Sequence, residues 1–451
     1  MHPGIFREYD IRGIAGEEIS EQDAMAIGRA YGTLLVRDDK KKVSVGRDCR
    51  KTSAPFSAAF IEGILSTGCD VVDIGTCPTP VLYFSIHHLA LDGGAMVTAS
   101  HNPPEYNGFK LMSGLDSIHS QGLQDLRKII DTTSYAQGQG ELSRADVLTP
   151  YQEMILDKIS LGRKIRLGVD AGNGTGGITA LPVLRGLGCE VHDLYCDLDG
   201  SFPNHEADPT QKKNLTDLIA LVRREGLELG VGYDGDADRI GIVDKDGNVI
   251  YGDQLMVIFA REILTRKPGA TFISEVKCSM VMYDDIRNRG GNAIMWRTGH
   301  SLIKKKMKEE GAALAGEMSG HMFFKDRYYG YDDALYATCR LLEIIADTGL
   351  GVDELIRDLP QTFTTPEIRV ECPDTVKFDV VARIVALYKS RQEVIDIDGM
   401  RALYDDGWGL VRASNTQPAL VLRFEALTEQ RLEEIRTEIE TDLKKIIQET
   451  E

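Results

Sequence analysis

Short β-rich apolar runs alternate with longer segments of helical period from the start of the chain to about residue 365. Such alternation is typical of α/β units with largely parallel strands and a sheet covered by helices. The chain has 451 residues, which is too many for one hydrophobic core, so we expect several domains. After Pro366 the predicted elements fit a smaller α+β domain.

We predict four units from this pattern, at residues 1–150, 151–251, 252–365 and 366–451. Three predicted strands end in a similar way and give a weak indication of an internal repeat. These endings are Gly46-Arg47-Asp48, Gly168-Val169-Asp170 and Gly232-Tyr233-Asp234.

Composition argues against several classes of protein. The formal net charge of -18 disfavours binding to nucleic acid or to anionic membranes. We find neither a secretory signal at the amino terminus nor 18 consecutive apolar residues, so we expect no membrane span. The 8 cysteines include no Cys-x-x-Cys pair, which argues against a zinc ribbon or a disulfide framework. We therefore predict a cytoplasmic protein with reduced thiols.

Residues 98–104, Thr-Ala-Ser-His-Asn-Pro-Pro, place one serine on a stiff turn after an apolar strand. Proline fixes φ and removes N–H donors, so Ser100 should lie on a rigid connection. A hydroxyl held in this way is a candidate phosphate carrier. The composition of residues 98–104 alone favours an ordinary proline-terminated loop. Three motifs later in the chain favour the phosphate carrier instead.

Residues 234–239, Asp-Gly-Asp-Ala-Asp-Arg, set three carboxylates two positions apart directly after an apolar strand. Such spacing can bring oxygen atoms onto one hard cation, and oxygen ligands suit Mg²⁺. An EF-hand begins similarly, but Arg239 and Lys245 stand where that loop requires Gly and Glu. We predict a metal site rather than an ordinary polar turn. The predicted ligands are Asp234, Asp236 and Asp238.

Two further loops carry groups suited to a sugar phosphate. Residues 316–321, Gly-Glu-Met-Ser-Gly-His, include Glu317, whose carboxylate can accept from two neighbouring hydroxyls. Residues 412–418, Arg-Ala-Ser-Asn-Thr-Gln-Pro, include Arg412, whose planar guanidinium matches phosphate oxygens. Each loop alone could be an ordinary polar turn. Weaker single candidates are Tyr9, Arg12, Lys110, Lys277 and His300.

In this order the four motifs resemble the α-D-phosphohexomutase superfamily, and the match runs from residues 6–13 to residues 412–418. The loops at 98–103 and 316–321 are most similar to those of its bacterial phosphomannomutase/phosphoglucomutase branch. The glucosamine-phosphate branch usually differs in both loops, with a Ser at position 98 and a Gln at position 318.

The resemblance implies four domains around a central cleft. The first three would be related α/β domains with mixed sheets, and the fourth a TATA-binding-protein-like α+β domain. It also implies that Ser100 is carried as phosphoserine, with Mg²⁺ held between it and the three aspartates. Implied substrate contacts are Tyr9, Arg12, Lys277, Glu317, Ser319, His321, Arg412, Ser414, Asn415 and Thr416.

The implied reaction moves a phosphoryl group between C1 and C6 of an aldohexose through a hexose 1,6-bisphosphate. Arg239 would counter charge on the phosphoryl oxygens. Candidate proton shuttles are His101, Lys110 and His300. Because the last domain would hold the substrate phosphate while the first carries the nucleophile, we also expect hinge closure near residues 365–373.

Three alternatives stay open at this point. One is a phosphoglucosamine mutase, and another is a sugar phosphatase with an aspartyl nucleophile at Asp234 or Asp236, which leaves Ser100 without a role. The third is a non-catalytic sugar-phosphate sensor, against which the intact serine and aspartates argue. The preferred sugar, the pathway and the choice between monomer and dimer are not determined by the sequence.

Overall fold

The computed structural model describes residues 1–414 and 417–450. The helices in this part of the chain are α1 (Glu21–Arg37), α2 (Ser53–Leu65), α3 (Thr79–His88), α4 (Gln121–Asp131), α5 (Leu148–Lys158), α6 (Gly176–Gly186), α7 (Thr216–Glu225), α8 (Gly252–Arg266), α9 (Met280–Asn288), α10 (His300–Glu310), α11 (Ala334–Thr348), α12 (Val352–Leu355), α13 (Lys377–Lys389) and α14 (Glu429–Thr450). None of these helices is both long enough and apolar enough to cross a bilayer.

The strands belong to four sheets. They are β1 (Ile11–Ile14), β2 (Lys42–Arg47), β3 (Asp70–Thr76), β4 (Gly93–Val97), β5 (Tyr106–Ser113), β6 (Asp116–Ser117), β7 (Leu142–Arg144), β8 (Arg166–Asp170), β9 (Glu190–Leu194), β10 (Leu229–Tyr233), β11 (Ile240–Asp244), β12 (Val249–Ile250), β13 (Thr271–Glu275), β14 (Asn292–Trp296), β15 (Leu314–Gly316), β16 (Met322–Phe324), β17 (Phe363–Thr364), β18 (Ile368–Glu371), β19 (Val394–Ile395), β20 (Met400–Tyr404), β21 (Gly407–Ala413) and β22 (Ala419–Ala426).

The first three sheets share one topology. Each contains four strands in the spatial order second, first, third, fourth, with the first three parallel and the fourth antiparallel. These sets are β3-β2-β4-β5, β9-β8-β10-β11 and β14-β13-β15-β16. The prediction of three related α/β domains with mixed sheets is therefore confirmed. The similar strand endings were a poor guide to it, because Asp48 and Asp170 follow first strands whereas Asp234 follows a third strand.

In each of the three α/β units, the predicted functional residues lie in the same place, the connection between the third and the fourth strand. It contains Ser100 between β4 and β5, the aspartate motif between β10 and β11, and Glu317 between β15 and β16. The fourth sheet is antiparallel, in the order β17-β22-β21-β20-β19 with β18 also paired to β22. The fourth motif begins with Arg412 and Ala413, the last two residues of β21.

Close helix packing in the first unit depends on two glycines. A Cβ on Gly28 of α1 would lie 2.1 Å from the Phe60 carbonyl oxygen, and one on Gly63 of α2 would lie 2.3 Å from the Met25 carbonyl oxygen. These helices cover one face of the first sheet. A separate, larger cluster of buried side chains joins the other face to the second and third units. Within it α11 packs against α6 and α8, so packing fixes the relative positions of the loops.

Two predicted positions differ from the observed elements. The boundary at residue 150 lies inside the first turn of α5, and β17 pairs with β22 although the boundary at 365 assigns it to the third unit. The predicted hinge at 365–373 is largely occupied by β18, which is hydrogen-bonded to β22. This pairing lies within the fourth sheet and does not test rotation between the third and fourth units, so the hinge stays a prediction.

Candidate active site

Ser100 lies on a turn that is fixed by a buried arginine. Its φ is +51°, in the left-handed region that non-glycine residues rarely adopt. Arg50 donates from Nη2 to the carbonyl oxygens of Ser100 (2.8 Å) and Asn102 (2.6 Å), and from Nη1 to those of Pro103 (2.5 Å) and Tyr106 (3.1 Å). The guanidinium therefore holds the loop at four points.

Asp48 supports this arrangement from beneath. Its Oδ2 accepts from Arg50 Nε at 3.0 Å and from Thr98 Oγ1 at 2.7 Å, while its Oδ1 accepts from Ser53 Oγ at 2.5 Å. The Thr98 hydroxyl in turn accepts from the Ser100 N–H at 2.9 Å. Because every one of these groups is buried, the network makes the serine turn rigid.

The Ser100 hydroxyl meets the aspartate motif directly. Its Oγ donates to Asp234 Oδ2 at 2.7 Å and lies 3.1 Å from His101 Nδ1. A Cβ on Gly235 would lie 2.5 Å from the Ser100 carbonyl oxygen, so the two loops approach too closely for any other residue at that position. The sequence prediction that serine and aspartates act together fits this geometry.

The aspartate motif is buried and carries a bound lysine. Lys110 Nζ donates to Asp236 Oδ2 at 2.7 Å and to Asp238 Oδ2 at 2.5 Å, and Thr79 Oγ1 donates to the same Asp236 oxygen at 2.6 Å. Asp234 Oδ1 accepts from the backbone N–H groups of Asp238 (3.0 Å) and Arg239 (3.1 Å). Buried charges of this kind are stable only when opposite charges or cations compensate them.

The pKa values of Asp234 and Asp236 are shifted in opposite directions. Burial, helped by Asp238 and Asp236, raises the pKa of Asp234 well above its ordinary value. Burial also acts to raise the pKa of Asp236, but Lys110 outweighs it, and the pKa is lowered overall. Burial would lower the pKa of Lys110, yet its aspartate partners raise it, so the ammonium keeps its proton.

The two histidines predicted as proton shuttles are buried, and burial disfavours their charged forms. Burial, with Arg239 as the next cause, lowers the pKa of His101 well below its ordinary value, and burial with Lys304 does the same for His300. His300 lies edge-on to Tyr9, with ring centroids 6.0 Å apart. A neutral imidazole has a free electron pair that can accept a proton.

The loop between β15 and β16 adds a third imidazole, that of His321, and the carboxylate of Glu317. His321 accepts from Arg239 Nε at 3.0 Å through Nε2, and its Nδ1 lies 3.2 Å from Asp332 Oδ2. Glu317 Oε1 accepts from the Gly299 N–H at 2.7 Å, and burial with the nearby Glu275 raises the pKa of Glu317.

The remaining substrate candidates line the connection to the fourth unit. Lys277 Nζ lies 3.4 Å from Glu275 and 3.2 Å from Glu367, and Arg412 Nε donates to Asp398 Oδ2 at 2.9 Å. Ser414 Oγ accepts from the Gln417 N–H at 3.1 Å. Asn415 and Thr416, also predicted as phosphate ligands, lie outside the described residues.

The amino-terminal candidates join the loops to one another. Tyr9 Oη donates to the Thr298 carbonyl oxygen at 2.6 Å, and Arg12 Nη1 donates to Asn102 Oδ1 at 2.5 Å. Gly299, next to Thr298, has a φ of +130° and a Cβ there would lie 2.4 Å from the Tyr9 ring. Ser319 is half-buried beside Glu317.

Sequence reasoning did not find several residues that support the site. They are Asp48, Arg50, Thr79, Glu275, Asp332 and Asp398. Asp48, Arg50 and Thr79 follow first or second strands of the first unit. Their only sequence signal was their place at the carboxyl ends of predicted strands, where the loops of a parallel sheet gather.

Comparison with known proteins agrees with this geometry along the whole chain. Family models described as phosphoglucomutase/phosphomannomutase match domain I at residues 3–135, domain II at 149–247, domain III at 251–363 and the C-terminal domain at 367–441. A phosphomannomutase/phosphoglucomutase of Pseudomonas aeruginosa is 44% identical over 446 residues, which are 98% of this chain and 96% of that protein. The chain belongs to the phosphoglucomutase/phosphomannomutase family. Membership makes it an isomerase of the mutase type.

Two other members of the phosphoglucomutase/phosphomannomutase family are similarly close. A phosphoglucomutase of Neisseria meningitidis is 43% identical over 439 residues, which are 96% of this chain and 95% of that protein. The crystal structure of a phosphoglucomutase/phosphomannomutase family protein from Burkholderia thailandensis matches with a TM-score of 0.93 and 42% identity, covering 99% of this chain and 98% of that one. The four-domain arrangement implied by the four motifs is therefore confirmed.

Proposed function

We propose that this mutase interconverts hexose 1-phosphates and hexose 6-phosphates, with phosphorylated Ser100 as the carrier of the exchanged group. The observation that carries the proposal is the Ser100 hydroxyl on a rigid, strained turn, 2.7 Å from Asp234 in a buried acidic cluster. The names of the curated relatives support glucose and mannose phosphates as substrates. A cytoplasmic location stays a prediction, supported by eight free thiols.

Mg²⁺ is the cation that the aspartate motif fits best. Carboxylate oxygens of Asp234, Asp236 and Asp238 lie within 4.8 Å of one another. Asp236 Oδ1 and Asp238 Oδ1 are buried and accept no hydrogen bond from the described residues. An all-oxygen, negatively charged set suits a hard cation that keeps some open positions. When bound, the ion supplies Lewis-acid stabilisation of charge on the phosphoryl oxygens.

The chain's own residues account for the rest of the transfer. As the bond from phosphorus to Ser100 Oγ breaks, a bond forms from phosphorus to the sugar hydroxyl oxygen, and the hydroxyl proton passes to a base. His101 and His300 are the candidate acceptors, and the burial that lowers the pKa of each makes the imidazole a weaker base, while the aspartates that raise the pKa of Lys110 favour its ammonium form. Arg239 lies at the motif to oppose charge on the moving group. The bisphosphate then turns around, and its other phosphoryl group returns to Ser100.

Labelling the enzyme tests the proposal against a phosphatase with an aspartyl nucleophile. Treatment with a hexose 1,6-bisphosphate should add one phosphoryl group, detected by mass spectrometry, on the peptide that contains Ser100. Hydroxylamine cleaves acyl phosphates but not phosphoserine, so the label should survive it. Loss of the label to hydroxylamine, with mapping to Asp234 or Asp236, would assign the phosphatase instead. Rates on mannose, glucose and glucosamine 1-phosphates would then rank the sugars.

Removing the cation should abolish turnover reversibly. We expect a chelator to stop the mutase and added Mg²⁺ to restore it. Asp236→Asn should raise the Mg²⁺ concentration for half-maximal activity about tenfold or more, because the amide removes one of three anionic ligands. Titration of activity with Mg²⁺ measures this. Asp193→Asn, on the exposed face of β9, is the matched control and should leave the Mg²⁺ concentration for half-maximal activity unchanged. If Asp236→Asn also left that concentration unchanged, the metal assignment would be contradicted.

Arg412 should contribute mainly to substrate binding. Arg412→Ala is expected to raise KM for a hexose phosphate about 10- to 100-fold, because charge-assisted hydrogen bonds to phosphate are worth about 1.5–3 kcal/mol. Steady-state kinetics measure this change. Arg383→Ala, on α13 of the same unit and paired with Glu449, should leave KM unchanged. A fall in kcat with KM unaltered would place Arg412 in the chemical step instead.

A further inference from the structure

The segment that carries Lys277 is held by two buried arginines of the fourth unit. Arg401 Nη1 donates to the carbonyl oxygens of Val276 and Cys278, the latter at 2.9 Å. Arg423 Nη1 donates to the carbonyl oxygen of Lys277 at 2.9 Å. Three successive carbonyl groups of the third unit are therefore bound by guanidinium groups of another unit. Hydrogen bonds from charged donors are the stronger kind.

The start of α9, directly after this segment, also has its partners in the fourth unit. The Met280 N–H donates to Glu425 Oε1 at 3.2 Å, and Trp408 Nε1 donates to the same oxygen at 2.9 Å. The Arg401 guanidinium lies 3.7 Å from the centre of the Trp408 ring, which adds a cation–π contact. These three side chains of the fourth unit are buried. Separating the two units here would leave charged groups without partners in the interior, which is strongly unfavourable.

The two arginines share one face of the fourth sheet with Arg412. Leu410 of β21 lies opposite Arg401 of β20 and opposite Arg423 of β22. Residues directly opposite each other project from the same face, and so do residues two positions apart on one strand, which places Arg412 there too. Leu410 and Trp408 join this face to the core of the third unit. One stiff sheet therefore carries both the arginines that hold the lysine segment and the arginine predicted to bind phosphate.

Lys277 and Arg412 are two buried cations close enough to repel each other. Burial would lower the pKa of Lys277, but Glu275 and Glu367 raise it overall, while Arg412 opposes them as a neighbouring cation does. Lys277 Nζ lies 3.2 Å from Glu367, and Arg412 is bound to Asp398. A pair of cations held in this way suits a doubly charged anion such as a phosphate ester.

We propose that Arg401 and Arg423 are positioning residues, which attach Lys277 to the fourth unit. Lys277 and Arg412 then bind the substrate phosphate as one rigid pair. This role rests on the proposed function, and it gives the fourth unit control over a lysine that belongs to the third. A rotation of the fourth unit either carries residues 276–278 along or breaks three buried hydrogen bonds. We therefore expect the two cations to keep their spacing when the cleft closes.

A double-mutant cycle on hexose-phosphate affinity tests this role. Isothermal titration calorimetry of the unphosphorylated full-length enzyme with a hexose 6-phosphate measures Kd without turnover. We expect Lys277→Met to raise Kd about 10- to 100-fold, since a charge-assisted contact to phosphate is lost, and Arg423→Met to raise it about tenfold. In the double variant Kd should be no higher than in Lys277→Met alone, because Arg423 acts through that lysine.

A conservative variant keeps the test valid if Arg423→Met does not fold. Arg423→Lys retains a buried cation near Asp253, which lies 3.9 Å from the guanidinium, but an ammonium presents its donors differently. It should raise Kd about threefold in the unaltered enzyme and not at all in the Lys277→Met background. Thermal unfolding of each variant shows whether the fold is intact.

Arg431→Met is the matched control, because Arg431 belongs to the same unit and pairs with Asp406 at 2.9 Å. Its Kd should be unchanged. Additive effects of the Arg423 and Lys277 substitutions, or an unchanged Kd in folded Arg423→Met, would overturn the positioning role and leave the proposed function in place. Failure of the unaltered enzyme to bind any hexose phosphate would overturn the proposed function, and the positioning role with it.

Discussion

Replacing Ser100 by alanine is expected to reduce mutase turnover about a thousandfold or more, since covalent catalysis is lost with its nucleophile. Alanine and serine tolerate a φ of +51° equally poorly, and the Arg50 contacts go to backbone carbonyls. The fold should therefore survive the change. Turnover of a hexose 1-phosphate primed with its bisphosphate measures the loss, and mass spectrometry should find no phosphoryl group on the variant.

Ser117→Ala provides the matched control for this substitution. Ser117 is half-buried on β6 of the same unit, and its hydroxyl donates a hydrogen bond to the Met112 sulfur at 3.3 Å. Turnover and phosphorylation should be unchanged there. Full activity in Ser100→Ala would contradict the proposal that Ser100 carries the exchanged phosphoryl group.

Arg50→Met is expected to lower the free energy of unfolding of the first unit by about 3–5 kcal/mol, because breaking a buried ion pair leaves an uncompensated charge. Asp48 would lose its arginine, and four carbonyl oxygens of the serine turn would lose their donor. Methionine fills much of the volume but donates nothing. Without these bonds the strained φ of Ser100 should relax, so turnover should fall as well.

Chemical unfolding followed by circular dichroism measures the stability change. Arg47→Met is the control. Arg47 is the last residue of β2, three positions before Arg50, and its guanidinium lies 3.4 Å from the Asp73 carboxylate. Arg47→Met should lower the free energy of unfolding by no more than about 1 kcal/mol. Equal losses in the two variants would mean that Arg50 does not clamp the turn.

Much of this architecture could be predicted because local patterns decide it. Alternating strand and helix periods define α/β units, and a change in that pattern indicates a different last unit. The four motifs were visible for a similar reason. Each packs its functional groups into six or seven consecutive residues, so that sequence spacing alone brings Asp234, Asp236 and Asp238 together.

Residues that act across long sequence separations could not be predicted in this way. Arg50 reaches the serine turn from fifty positions upstream, and Asp332 meets His321 because the chain turns back after β16 and Asp332 forms a bridge with Phe323. The hinge near residues 365–373 stays a prediction. Proline and composition indicated a linker near 365–373. The pairing of β18 with β22, about fifty residues later in the chain, depends on tertiary structure and has no local sequence signal.

The shared position of three functional loops has a consequence for engineering. The nucleophile, the ion ligands and the sugar contacts each follow a strand of a different sheet, and contacts such as Lys110 with Asp236 and Arg239 with His321 join the loops. Met318 and Ser319 can therefore be varied to seek new sugars, whereas Gly320 and His321 must be kept because they contact Ile240 and Arg239 at the aspartate motif. Substrate range and reaction type should evolve, or be redesigned, as separable traits.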